Sequence, residues 1–302
     1  MEDRIRSNNP RSFRANKNLY FMMAPFLIIF FTFTILPVLT SIFFSFTNWN
    51  VLQPPIFLGL ENYRRLFLDD PQFMQAIRNT FHFAVIIGPV GYLLSFLMAW
   101  VINELTPKLR AFFTIVFYAP SIGGGTFMVF GFLFSPDPHG WFNAFLLNLG
   151  VIDSPILFNQ DPVWMRTVVI IVSLWMSLGF GFLSFVAGLQ TIDRTQYEAG
   201  AIDGIRSRWQ ELWYITLPNM KPQMMFGAIL SITGSLGIGA VPAALMGMPS
   251  PGYATHTLDN HLNDFGSIRM EMGYASAIAV FMFVLMIGAN ALVQKFIRIV
   301  GT

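Results

Sequence analysis

Cysteine is absent from the 302-residue sequence, which excludes disulfides, thiolate nucleophiles and cysteine-ligated metal sites. Charge is scarce: 11% of residues are Asp, Glu, Lys or Arg, against about 25% in a soluble domain. Water is therefore not the main solvent of this chain. No Gly-x-x-x-x-Gly-Lys-Ser/Thr phosphate loop occurs, so that route to nucleotide hydrolysis is closed. A formal charge of +2 with scattered basic residues forms no phosphate-binding stripe and argues against a nucleic-acid partner.

Apolar residues fill the space left by charge. They make up 54% of the chain, with 33 Phe and 17 Met, a surface suited to lipid contact. Six apolar runs, about Leu19 to Phe46, Thr80 to Ile102, Ala111 to Phe134, Thr167 to Gln190, Gln223 to Met248 and Met272 to Gln294, each reach the roughly 20 residues that cross a bilayer as a helix. The first is too long for a signal-peptide core and no small-residue cleavage site follows it. The expected fold is thus an all-α integral membrane protein, with a tail at 1–18, a six-helix unit at 19–298 and a carboxyl tail at 299–302. Pro37, Pro89, Pro120 and Pro242 lie inside these runs and predict kinks or breaks whose freed backbone groups neighbouring helices satisfy.

Lys and Arg set the orientation. Of 18, thirteen fall in the amino-terminal tail, the second-to-third and fourth-to-fifth connections and the carboxyl tail. The positive-inside rule then makes both termini cytoplasmic, in a bacterial-type cytoplasmic membrane. Three longer external loops follow, near 47–79, 135–166 and 249–271, and the apolar residues of Gly140 to Leu147 predict a short interfacial helix.

No span carries Asp, Glu, Lys or Arg in its interior, and His82 is the one ionisable side chain within them. Proton- and ion-coupled transporters place such groups at membrane depth, so energy for active transport would have to come from another polypeptide. His82, His139, His256 and His261 are all external. His256 and His261, five apart, do not share a helical face, and no metal site is expected. Gly123, Gly124 and Gly125 read as a flexible or closely packed helix segment rather than a phosphate cradle.

The cytoplasmic connection at 191–222 is the one long enough to act as a contact element. Its core, DRTQYEAGAIDGIRSRWQELWYITLPNMKP from Asp193 to Pro222, predicts two short helices. Thr195 with Glu198 and Ser207 with Gln210 have capping-box spacing. Gly204 supplies the positive-φ residue that ends the first helix, and Trp209, Leu212 and Trp213 line one apolar face of the second.

These residues carry a resemblance. Glu198-Ala199-Gly200, Asp203-Gly204 and Ile215-Thr216-Leu217-Pro218 resemble the EAA signature of permease subunits of ATP-binding-cassette importers. The Asp-Gly pair, the Trp-Gln and the Ile-Thr-Leu-Pro ending are similar to the carbohydrate-uptake, maltose-type branch. Gly59 to Phe67, Asn79-Thr80 and Gly140 to Leu147 are similar to its first permease. Two departures stand out: Gly200 where the family usually has Ala, and one residue more between Gly204 and Ile215. The resemblance implies a coupling surface at Glu198, Ala199, Asp203, Gly204, Leu217 and Pro218. It further implies two ATPase subunits holding ATP and Mg, a second homologous permease and an external solute-binding protein, with membrane lipid around them. This chain itself would hold no cofactor and no catalytic site.

A sugar path needs hydroxyls, amides and aromatic faces. The fourth span offers Ser173, Trp175, Ser177, Phe180 and Ser184, and the fifth Ser231, Thr233 and Ser235. Similarity to the maltose system points to Ser231, Ser235 and Phe180, with Trp175 in reserve, although the same small residues serve ordinary helix packing. Two further classes stand beside the importer: a membrane assembly protein without a solute path, and a channel or secondary transporter.

Single cysteines placed at Asn8, Thr302, Asp153 and Asp259 test the orientation in intact cells with an impermeant thiol reagent. Labelling is expected at 153 and 259 and not at 8 or 302; strong labelling at position 8 would reverse the topology.

Overall fold

The computed structural model describes residues 17–123 and 126–300, with 17–19, 180 and 296–300 as backbone only. The expectations for residues 1–16, Gly124, Gly125 and 301–302 fall outside the described residues. Four helices are long and apolar enough to cross a membrane, and two bent pairs complete six spans.

The first span, α1 (Tyr20–Phe44), is about 37 Å long at 1.5 Å per residue, enough for a ~30 Å hydrocarbon layer. Phe21 and Phe33 are 80% and 76% exposed, as lipid-facing side chains are. Pro37 can donate nothing and crowds the carbonyl four residues back. The helix answers with a π turn at Phe31–Ile35, whose wider ring relieves that crowding. A hairpin of β1 (Thr47–Asn48) and β2 (Ile56–Phe57) follows.

The second span, α2 (Pro71–Asn103), starts well before the expected Thr80, because Asp70 caps it by accepting the Phe73 N–H at 2.9 Å and Pro71 stands at a helix start that needs no donor. The third breaks into α3 (Pro107–Ile122) and α4 (Thr126–Leu133), whose axes differ by 88°. A short helix, α5 (Trp141–Asn148), forms where an interfacial one was expected. The fourth span is α6 (Pro162–Met176) followed by α7 (Phe180–Thr191). The projecting loop holds α8 (Arg194–Ile202) and α9 (Arg208–Glu211). The fifth is α10 (Lys221–Leu236) with α11 (Ala240–Met246), bent by 40°. A short helix, α12 (Leu258–Asn263), precedes the last span, α13 (Met272–Val300).

Helices α2, α7 and α10 pack on one another at the centre. Small residues allow the approach. A Cβ on Gly91 would lie 2.9 Å from the Ser177 side chain, one on Gly88 3.1 Å from Ser235 Oγ, and one on Gly227 2.5 Å from the Phe185 ring.

The segments expected to be external are tied down by buried polar side chains. Asn62 Nδ2 donates to the Ser45 and Thr47 carbonyls at 2.9 and 2.8 Å, and Asn79 Nδ2 to those of Tyr253 and His256 at 2.8 and 2.9 Å. Thr80 Oγ1 accepts the Leu258 N–H. Fully buried Asn143 holds the segment around α5, donating to the Ser135 and Ile156 carbonyls and accepting the Ile156 N–H.

His256 and His261 meet despite their five-residue separation, Nε2 to Nδ1 at 3.2 Å, because His256 lies before α12 and His261 within it. Helical spacing therefore does not govern them. His261 Nε2 lies 3.0 Å from Asp70 Oδ2, which also accepts the Tyr274 hydroxyl at 2.6 Å. Burial opposes the Asp70 charge, yet the bonds from His261, Tyr274 and the Phe73 amide hold its carboxyl well below the usual carboxylate range. Among the described residues no three His, Cys, Asp or Glu gather as metal ligands. Asp259 is half-buried, so Asp153, which is exposed, is the better of the two labelling sites for testing orientation.

Burial, and then the neighbouring His261, lower the His256 imidazole from 6.5 to about 4. Between those values the unfolded chain takes up a proton that the folded protein refuses. His256 therefore contributes no penalty above pH 6.5 and lowers stability as pH falls toward 4, by at most ~1.4 kcal/mol per unit. Thermal unfolding in detergent at pH 7 and pH 5 is expected to show a smaller pH effect in His256→Gln than in wild type. Identical pH effects in the two would remove His256 as the titrating group.

Candidate functional site

The projecting loop is a rigid knob. Asp193, not Thr195, caps α8: its carboxylate accepts the Thr195 N–H at 3.0 Å. Glu198 consequently lies in mid-helix and caps nothing. The Asp193 carboxyl is lowered by its bonds to the Thr195 backbone and side chain. At the far end Gly204 has φ +95°. Ile205 N–H donates to the Gly200 carbonyl at 2.9 Å and Gly204 N–H to that of Ala201 at 3.3 Å, the two bonds of a Schellman motif. Ile205 folds over Gly200, where a Cβ would stand 3.1 Å from Ile205 Cδ1 and 2.7 Å from Ile215 Cδ1. The glycine that departs from the family pattern is thus fitted to its own neighbours.

Ser207 and Gln210 form the expected capping box at the start of α9. The Trp209, Leu212 and Trp213 stripe does not form one face. Leu212 is buried while Trp209 and Trp213 are 61% and 65% exposed: the two tryptophans, four apart, face outward together and Leu212 turns inward. The two halves are clamped together: Tyr197 Oη lies 3.0 Å from Thr216 Oγ1, and Asn219 Nδ2 donates to Gln196 Oε1 at 2.7 Å. Arg208 bridges Glu211 at 2.7 Å and Glu104, just beyond α2, at 3.0 Å. Its guanidinium is raised further by Glu211 and Glu104.

What this knob presents is clear. Glu198, Ala199, Asp203, Gly204 and Pro218 are exposed and Leu217 is partly buried. Ile202 is 87% exposed, an apolar side chain among these residues that pattern reading passed over. Among the described residues Glu198 has no hydrogen bond or ion pair.

The second element is a cavity of about 420 Å³ between α2, α7 and α10 and the helix breaks, within the 300–1,000 Å³ range of small-ligand sites. Its hydroxyl-bearing lining residues are Tyr92 and six serines, Ser95, Ser121, Ser173, Ser177, Ser231 and Ser235. Ser231 donates to the Gly88 carbonyl at 2.7 Å and Ser95 to that of Ser177 at 3.1 Å. Each such hydroxyl keeps lone pairs for a further partner. Trp175 is not on this wall; it is 45% exposed with its ring edge-on to Phe130. The Phe180 side chain lies outside the described residues. Ser95 and Ser121 were not singled out from sequence, since single serines in the second and third spans carry no pattern.

A largely apolar cavity with serines in its wall among broken membrane helices, joined to a stiff projecting loop, defines a membrane transport subunit. The family described as "Binding-protein-dependent transport system inner membrane component" matches residues 73–300, and the chain belongs to it. It is 32% identical over 88% of its length to the probable ABC transporter permease protein YesP of Bacillus subtilis, covering 85% of that protein. It is 30% identical to the lactose transport system permease protein LacF of Rhizobium radiobacter, over 96% of each chain. The fold matches a chain of a bacterial ABC transporter involved in the import of the acidic polysaccharide alginate, with a TM-score of 0.78 at 23% identity over 96% of this chain and 98% of that one. The chain is therefore a permease subunit of an ABC importer, a transport family and not an enzyme family.

The Gly88 contact distinguishes the two serines of α10. Ser231→Ala deletes one hydrogen bond, worth about 1 kcal/mol, and leaves the helix spacing intact. Ser235→Leu drives a branched chain against Gly88, and overpacking costs roughly 1–3 kcal/mol or more. Detergent melting temperatures are expected to fall further for Ser235→Leu; the reverse order would show that α2 and α10 do not meet at Gly88.

Proposed function

We propose that this permease carries a sugar or oligosaccharide, forming half of the path with a second homologous permease. An extracytoplasmic solute-binding protein delivers the cargo, and two ATPase subunits holding ATP and Mg supply the energy. Both termini lie in the cytoplasm, and so does the α8–α9 knob. The relatives named for lactose and for arabinooligosaccharides in Bacillus subtilis support the carbohydrate class, as does a wall of six serines. The observation that carries the coupling role is the knob itself, capped at both ends and cross-braced, with Glu198 exposed and unpartnered among the described residues. Glu198, Ala199, Asp203, Gly204 and Pro218 form its contact surface, and Leu217 roots it in the membrane-facing cluster. Ser231 and Ser235 belong to the path.

A carboxylate seated in a partner groove with a basic residue contributes a charge-assisted bond. Glu198→Ala and Gly204→Val are expected to insert normally in the reconstituted complex. Both should lose binding-protein-stimulated ATP hydrolysis and uptake by about tenfold or more, since bonds to charged groups are worth about 1.5–3 kcal/mol and Val is strained at positive φ. Wild-type values for both variants would leave the loop a passive scaffold. Failure of a second permease and an ATPase pair to copurify would overturn the assembly.

A further inference from the structure

Beside the central cavity lies a second polar hollow of about 460 Å³, bounded by α12, the first half of α13 and Ser41 of α1. Its polar lining comprises Ser41, Asp259, Asn263, Ser267 and Ser276. Asp259 is the unusual member. It is half-buried and, among the described residues, has neither a hydrogen bond nor an ion pair. Burial pushes its carboxyl above the usual range. A carboxylate withdrawn from water without a partner carries a standing cost, and such groups concentrate at functional sites.

Its position gives that cost a use. A Cβ on Gly239 would run into the Asp259 carboxylate, and Gly239 lines the central cavity. The adjacent Asn260 donates to the Gly239 carbonyl at 3.0 Å, fixing α12 over the break between α10 and α11. Asp259 therefore stands in the wall between the outer hollow and the central cavity.

We infer that Asp259 is a solute-binding residue at the outer end of the path, accepting hydrogen bonds from vicinal hydroxyls of a neutral carbohydrate that rests in this hollow. The inference depends on the carbohydrate reading above. An ionised carboxylate accepts only, and sugar hydroxyls donate; the serines and Asn263 complete the set. An anionic solute would meet Asp259 with no Lys or Arg in the lining. An acyl chain would leave the hydroxyls without partners.

The test uses the complete importer in proteoliposomes with its binding protein, supplied with a panel of neutral di- to pentasaccharides and one uronate oligosaccharide, imported sugars being read by mass spectrometry. Asp259→Asn keeps the volume over Gly239 and is expected to lower sugar imported per ATP hydrolysed about tenfold, with assembly and stimulated hydrolysis retained. Asn263→Ala, at an exposed position, is expected to lower the same ratio about threefold. An unchanged ratio in both variants, or hydrolysis and import falling together, overturns the assignment and leaves the carbohydrate reading standing. Wild-type import of the uronate alone overturns the neutral-solute claim only. No import of any panel member by wild type sinks the carbohydrate reading and this inference with it.

Discussion

Inside a bilayer every backbone N–H and C=O must find its partner within the protein, and this constraint organises the transport unit. The central spans are interrupted at Gly123, Ser177–Gly179 and Gly237–Gly239, and α2 carries Pro89 after Gly88 in its interior. At each a side chain covers a carbonyl. Ser231 donates to Gly88 O at 2.7 Å, Ser95 to Ser177 O at 3.1 Å, Asn260 to Gly239 O at 3.0 Å and Thr126 to Pro120 O at 3.2 Å. The hydroxyls in the cavity wall are in part the same ones that cover carbonyls at the breaks. Polarity at membrane depth is thus a condition of the fold before it is a property of the path.

The loop obeys a different constraint, that of a small element exposed to solvent. It gains little from burial, so local bonds must hold it. The Asp193 cap, the Schellman closure at Gly204, the Ser207–Gln210 box and the Tyr197–Thr216 and Gln196–Asn219 braces each satisfy groups that a free helix end would leave to water. Arg208 then fastens the result to Glu104 beside α2. A contact surface made this way moves as a unit.

Much of this was legible in the sequence wherever the governing physics is local or compositional. Six apolar runs gave six spans because length and hydrophobicity decide insertion. Gly204 was readable because few other residues adopt its φ, and Ser207–Gln210 because its box lies within four residues. Thr195 failed as a cap because Asp193, two residues earlier, offers a carboxylate to the same turn. The Trp209–Trp213 stripe failed because an apolar pattern does not say which of its members a neighbouring helix will cover, and here Leu212 alone is buried. Other features depend on tertiary placement. Trp175 has the right chemistry for a sugar on a face that turns away from the cavity, and Ser95 and Ser121 acquire meaning from the helices brought beside them. His256 and His261 pair across a helix start, where spacing rules do not apply.

The positions of the breaks join the two elements into one device. Helix α7 begins at the Gly179 break and runs to the loop; α10 leaves the loop at Lys221 and ends at the Gly237 break. Each is therefore a strut with the cavity at one end and the knob at the other, about 18 Å and 24 Å long at 1.5 Å per residue. A continuous helix transmits displacement along its axis, whereas a broken one bends where its ladder is open. A displacement of the knob would be carried along both struts toward Gly179 and Gly237, which border the cavity. Gly88, Gly91 and Gly227 let α2, α7 and α10 and the Ser177 break pack at close range. A rigid-body shift of the two struts would change the shape of the cavity without unfolding any span.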